Sequence, residues 1–243
     1  TKIRRTMPEF LLKVEGTIHT LSTPWVMGIL NITPDSFFEG SRFSSAEKAA
    51  QRAEEMIVDG AKIIDIGGYS SRPGADAVSP EEEWQRLESV IPAVRAVVDK
   101  HPGTFISVDT FRASVAEKAV GAGAHMVNDI SGGNLDDRMY EVVAKLQVPY
   151  IIMHMQGDPS TMQINPTYEH VTQDIVKFFS EKLPQLHAMG IHDTIVDVSD
   201  GTVARRLAAV RLEGARDEDI RWWWNMNPLE RVLLKMDDEV IRI

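Results

Sequence analysis

The sequence contains no cysteine, so disulfide frameworks and thiolate metal sites are excluded and nothing marks an oxidising compartment. It has no apolar run near the roughly 20 residues that a membrane-spanning helix needs, and the opening TKIRRTMPEF lacks a signal-peptide apolar core. Positive charge is the scarcer sign, with 26 Lys and Arg against 36 Asp and Glu, a net charge of −10. That balance argues against a general attraction to nucleic acid or anionic membrane, and any anionic ligand must be met by local basic groups. A cytoplasmic protein acting on small molecules is the expectation. No Ser-His-Asp or Cys-His pairing and no two histidines at i, i+4 stand out, which argues against nucleophilic acyl transfer and a zinc site.

At 243 residues the chain has the length of one α/β barrel, and a single domain over 1–243 is expected. FLLKVEGTIHTL alternates about Glu15 and Gly16 and predicts a short hairpin. Beyond it, strand-like runs at 26–30, 62–66, 105–109, 125–129, 150–155 and 194–198 alternate with helical patterns at about 45–59, 80–100, 112–122, 136–147 and 167–190. Such alternation predicts a parallel sheet wrapped by helices. No dinucleotide-type glycine loop follows the first strand, so a closed (β/α)8 barrel is favoured over an open sheet.

Polar residues recur at one point of successive strands: Asn31, Asp65, Asp109, Asn128, His154 with Met155, and Asp197. In a barrel those strand ends ring one mouth, where groups distant in sequence converge on a ligand. Each has an ordinary alternative when taken singly: Asp109 and Asp129 as caps, His154 as a buried core histidine. As a set of carboxylates and amides they suit the edge of a flat heterocycle, because a carboxylate accepts two parallel N–H bonds. The stretch GGYSSRPGADAVSP (67–80) supplies positive charge through Arg72, between Ser71 and Pro73, on a loop that could close over the site.

These residues resemble dihydropteroate synthases, through NITPDSFFEG (31–40), DIGGYSSRPGAD (65–76), SVDTFR (107–112), NDISGG (128–133) and MHMQGDPSTMQ (153–163). The resemblance implies a TIM barrel that condenses 6-hydroxymethyl-7,8-dihydropterin diphosphate with 4-aminobenzoate, giving dihydropteroate and pyrophosphate. It implies that Asp109, Asn128 and Asp197 hold the pterin edge, with Asp65 beside them and Met153 against the ring. Asn31 would help ligate Mg²⁺ on the diphosphate. Ser71, Arg72 and Pro73, with Asp35 and Phe37, would come from two loops closing over the reacting centre. A homodimer is compatible with the sequence.

Two departures accompany the match. Tyr69 stands where the family usually has Glu, and from Ser199 the family's Gly-rich loop and its Ser-Arg-Lys-Ser and Arg-Val-His strand ends are not identifiable. The tail reads as a shortened closure: helix 202–213, strand 219–225, helix 228–237 capped by Asn227, Pro228 and Glu230, and strand 239–243 with Arg242 facing the diphosphate. In the alternative, the tail packs otherwise, Trp222, Trp223 and Trp224 are apolar cover, and the protein binds pterin without turnover.

Overall fold

The computed structural model describes residues 10–32, 42–69, 78–157, 170–197 and 240–242. The expected hairpin is β1 (Phe10–Val14) and β2 (Thr17–Leu21), antiparallel with Leu12 opposite His19. Its turn residues Glu15 (φ 47°) and Gly16 (φ 78°) are both left-handed, as two-residue hairpin turns of the primed type require.

Six strands then run parallel as neighbours in chain order: β3 (Val26–Asn31), β4 (Ala61–Gly67), β5 (Phe105–Asp109), β6 (Met126–Asp129), β7 (Tyr150–Met153) and β8 (Thr194–Asp197). The helices between them are α1 (Arg42–Val58), α2 (Pro80–Leu87), α3 (Val90–Val98), α4 (Ala113–Gly121), α5 (Met139–Leu146) and α6 (Val171–Ala188). The architecture is α/β, the strand-helix order of a TIM barrel. The helix expected over 80–100 is two helices. Pro92 has no N–H to give the carbonyl of Glu88, which breaks the i→i−4 ladder where α2 ends and α3 begins. The start of α2 is strongly specified: Ser79 Oγ accepts from the Glu82 N–H at 3.1 Å and Pro80 opens the helix.

Successive residues of each strand serve two cores. Leu30, Ile64, Ile66, Ile106, Val108, Val127, Ile152 and Val196 face the helices, where small residues such as Ala49, Ala53, Ala116 and Ala119 allow close approach. The other parity builds an inner core of Met27, Ile63, Phe105, Met126 and Ile151, closed from below by Leu12 and Val14 of the hairpin. Burying each such large apolar side chain is worth about 1.5–3 kcal/mol. The hairpin is tied down by the Lys13 N–H donating to Asp193 Oδ1 at 2.8 Å and by Arg95, which bridges Glu15 (2.8 Å) and Asp99 (2.7 Å). Under it, His125 Nδ1 accepts from the Ile106 N–H at 2.9 Å, and burial pushes its pKa down to about 4, so it is a neutral core group.

The tail corrects two expectations. β9 (Val240–Arg242) does pair with β3, but antiparallel, with Val26 opposite Arg242 and Gly28 opposite Val240. A regular (β/α)8 closure would bring the last strand up in parallel and carry its final residues to the mouth. Reversing it carries them down, so the backbone of Arg242 lies five residues below Asn31, about 16 Å along the strand. Arg242 is therefore not at the diphosphate end. The strand and helices expected within 202–237 lie outside the described residues, and among those described no helix is long and apolar enough to cross a membrane.

Candidate functional site

The inner parity that is apolar at the bottom of the strands becomes polar at their C-terminal ends. Following it upward, Ile63 gives way to Asp65 and Gly67, Phe105 to Ser107 and Asp109, Met126 to Asn128, Ile151 to Met153, and Ile195 to Asp197. The parallel register brings these together: Asp65 is level with Ser107, Gly67 with Asp109, Asp109 with Asn128, and Met153 with Asp197. Asp65, Ser107, Asn128, Met153 and Asp197 are buried, whereas Asp109 is half-buried and Asn31 is exposed at the rim.

Asn128 Nδ2 donates to Asp65 Oδ2 at 3.0 Å, which fixes both side chains. Asp65 Oδ1 and Ser107 Oγ are buried and have no hydrogen-bond partner in good geometry, although the serine hydroxyl is near enough to favour the charged form of Asp65. Burial raises the Asp65 pKa from 3.8 to about 6, with the charge of Asp197 adding to the effect. Burial also raises Asp109 well above its ordinary value, and Asp65, Glu83, Asp129 and Asp197 push the same way. A crowd of desolvated carboxyls with a spare acceptor is complementary to a neutral or cationic ligand presenting several N–H groups. Met153, level with Asp197, adds a polarizable apolar surface.

Other candidates have structural work. Asp129 accepts from the Ser131 N–H (2.8 Å), Ser131 Oγ (2.7 Å), the Gly133 N–H (2.9 Å) and Tyr150 OH (2.6 Å), so it organises the loop after β6. His154 is buried, edge-on to Phe178 at 5.0 Å. Asp35, Phe37, Ser71, Arg72 and Pro73 lie outside the described residues.

Sequence reasoning overlooked a polar group just behind Asp109. Glu83 is fully buried on α2 and its Oε2 is bound by Arg112 Nη1. Arg112 Nη2 donates to the Val78 carbonyl at 2.6 Å, and its guanidinium lies 5.2 Å from the Tyr69 ring centroid and 4.6 Å from that of Phe111. The signal for Glu83 was present in its helical spacing. It stands four residues before Leu87 and continues the stripe Leu87, Val90, Ile91 and Val94.

Among the described residues no three His, Cys, Asp or Glu side chains form a metal cluster. A Mg²⁺ ion held by one or two hard oxygen donors plus phosphate and water needs no such cluster. At Gly67 the absent side chain leaves a gap, since a Cβ there would lie 3.4 Å from both Asn31 Oδ1 and Asp109 Oδ2. The exposed amide oxygen of Asn31 at the rim of that gap fits such an ion.

The family described as pterin binding enzyme matches residues 27–209. The chain is 49% identical over 168 residues to the mitochondrial folate synthesis bifunctional protein of Pisum sativum, covering 68% of this chain and 32% of that one. It is 45% identical over 171 residues to the dihydropteroate synthase of Haemophilus influenzae, covering 70% of this chain and 60% of the relative. Among solved structures, the Xanthomonas albilineans dihydropteroate synthase with 4-aminobenzoic acid superimposes with a TM-score of 0.68 at 37% identity, over 78% of this chain and 66% of that one. The Yersinia pestis dihydropteroate synthase in complex with a sulfonamide drug gives 0.70 at 36% identity, over 83% and 75%. The chain thus spans about a third of its plant relative and three fifths of the bacterial one.

Proposed function

The chain belongs to the pterin binding enzyme family, and from that premise we propose that it is a dihydropteroate synthase, joining 6-hydroxymethyl-7,8-dihydropterin diphosphate to 4-aminobenzoate with release of pyrophosphate. The observation that carries the reading is the buried acceptor Asp65 Oδ1, which lacks a hydrogen-bond partner at the strand ends that also carry Asp109, Asn128 and Asp197. A pterin edge, with its row of N–H donors, satisfies that atom and the acceptors of Asp109 and Asp197. Asn128 is held by Asp65 with a fixed orientation, so it can meet the ring where donor and acceptor alternate. Met153 lies against the ring face.

In this reading the methylene C–O bond to diphosphate breaks first. The resulting pterin methylene cation is stabilised by the surrounding carboxylates, then trapped by the arylamine nitrogen, which loses its proton. Asn31 would help to hold a Mg²⁺ ion, which would supply neutralisation of leaving-group charge. Arg72, with Ser71, Pro73, Asp35 and Phe37, is proposed to meet the diphosphate and the second substrate. The reading takes 1–243 as one pterin-binding domain of a cytoplasmic enzyme, with a homodimer as its assembly.

Mixing the protein with the pterin diphosphate, Mg²⁺ and 4-aminobenzoate and following pyrophosphate release tests it. Turnover that depends on all three and is lost in Asp109→Asn is the expected result. Calorimetric binding of pterin without turnover would instead favour a binding protein.

A further inference from the structure

Side chains alternate along β6, so Asn128 turns into the mouth toward Asp65 while Asp129, the next residue, turns outward under the helices. Asp129 is fully buried there. Its Oδ1 accepts from the backbone and hydroxyl of Ser131, and its Oδ2 from the Gly133 N–H and, at 2.6 Å, from the Tyr150 hydroxyl. Tyr150 is level with Val127 on the neighbouring strand, two residues below Asp129, so its ring climbs the outer face of the sheet to reach the carboxylate. Burial and that carboxyl push the Tyr150 phenol well above its ordinary pKa, so it keeps the proton it donates. The turn beyond is closely specified: Gly133 has φ 81°, and a Cβ there would collide with the Tyr140 ring. The same connection reaches Asp109. The Asn128 carbonyl accepts from the Thr110 N–H at 2.9 Å, and Asp136 Oδ2 accepts at 2.9 Å from the N–H of Ala113, the first residue of α4. The segment leaving Asp109 is thus tied at two points to the connection that begins at Asp129.

Resting on the dihydropteroate synthase reading, we infer that Asp129 and Tyr150 are positioning residues for the pterin edge. The Tyr150 hydroxyl fixes Asp129, and Asp129 fixes the end of β6, so that Asn128 stays in register with Asp65 and Asp109. Neither touches the ring, because both side chains lie on the outer face of the sheet. Tyr140 provides an internal comparison. Its hydroxyl donates to the Gly132 carbonyl at 2.6 Å, so it steadies the same turn farther out without a bond to Asp129.

The test compares Tyr150→Phe with Tyr140→Phe in the full chain, each of which removes one hydroxyl and keeps the ring. Ser131→Ala, which removes a different donor to Asp129, is the second variant of the first kind. Two readouts are taken. One is the calorimetric dissociation constant of 6-hydroxymethylpterin, which presents the ring without the diphosphate. The other is the side-chain amide signal of Asn128 in proton–nitrogen correlation spectra, identified by its loss in Asn128→Ala. All three variants are expected to stay folded and to melt a few degrees below the parent. Tyr150→Phe and Ser131→Ala are expected to shift the Asn128 signal and to weaken pterin binding by about 3- to 10-fold, the worth of roughly one hydrogen bond. Tyr140→Phe is expected to leave the signal in place and the affinity within about twofold. A parent-like affinity and an unmoved Asn128 signal in Tyr150→Phe or Ser131→Ala would overturn the inference. Equal losses in Tyr140→Phe would overturn it too, since they would mark a general softening of the turn. A parent that binds no pterin refutes the dihydropteroate synthase reading, while the Asn128 signal in the variants still decides whether Asp129 and Tyr150 hold that side chain.

Discussion

Replacing Asp65 by Asn should make the protein more stable at neutral pH and worse at binding pterin. The Asp65 carboxyl is 4% exposed and titrates at about 6 rather than 3.8, chiefly because burial penalises its charge. The folded chain therefore holds this proton more tightly than the unfolded chain. Stability falls as pH rises from about 4 to about 6, by about 3 kcal/mol for roughly two units. Asn removes that loss. Its oxygen can still accept from Asn128 Nδ2, although a neutral acceptor forfeits about 1 kcal/mol of a charge-assisted bond. Its amide hydrogens face the side where Ser107 Oγ now has no partner. The net expectation at pH 7 is a gain of about 1–2 kcal/mol. Removing the Asp65 charge also lowers the pKa of Asp109, which works in the same direction. Urea unfolding of both proteins from pH 4 to pH 8 measures the effect as the difference between two stability curves, which should open by about 3 kcal/mol between pH 4 and pH 7. Parallel curves would refute the account of a desolvated acid at this position.

Asp109→Asn places an amide donor against ring N–H groups, so pterin affinity measured by calorimetry should fall by about 10- to 150-fold, equivalent to about 1.5–3 kcal/mol. Arg72→Ala should leave that affinity nearly intact while sharply lowering turnover, and equal losses in both would put Arg72 in the ground-state pocket. Deleting 239–243 strips the pairing of β3 from Val26 to Gly28 and should lower the melting temperature of the whole domain, whereas Arg242→Ala should leave diphosphate binding unchanged.

The fold was legible wherever two periods disagreed clearly. Strands such as 105–109 and helices such as 112–122 emerged because β-branched runs and alanine-rich amphipathic runs do not resemble one another. The break at Glu88 and Ser89 was missed because the apolar stripe continues through it in phase, and only Pro92 marks it. The direction of β9 was not legible, since three residues pair with β3 in either sense and no flanking pattern chooses. In the site, Asp65, Asp109, Asn128 and Asp197 stood out because a polar residue ending an apolar run is conspicuous. Ser107 did not, since a serine inside a strand carries little signal. Glu83 carried its signal only in its spacing from Leu87 and was masked by its acidic neighbours Glu81 and Glu82, and Arg112 did not stand out because nothing local says that a guanidinium reaches back to Val78.

The same inner parity that makes Ile63, Phe105 and Ile151 a dry plug makes Asp65, Asp109 and Asp197 a mouth two residues or more farther up. The two halves of the barrel interior therefore contribute with opposite sign. The lower half, closed by Leu12 and Val14, gains from every apolar contact, while the upper half holds carboxyls whose charged forms burial disfavours. Such an arrangement persists because the lower core carries the fold, and it leaves the mouth preorganised against water rather than for its own stability. A ligand that supplies N–H donors removes the penalty at the moment of binding, so part of its affinity is the relief of strain already present in the empty site. Pterin binding should then favour the ionised form of Asp109 and release a proton wherever the free protein holds one. Calorimetry in buffers of different ionisation enthalpy would reveal that proton, and Asp109→Asn should reduce its release to the share that comes from Asp65.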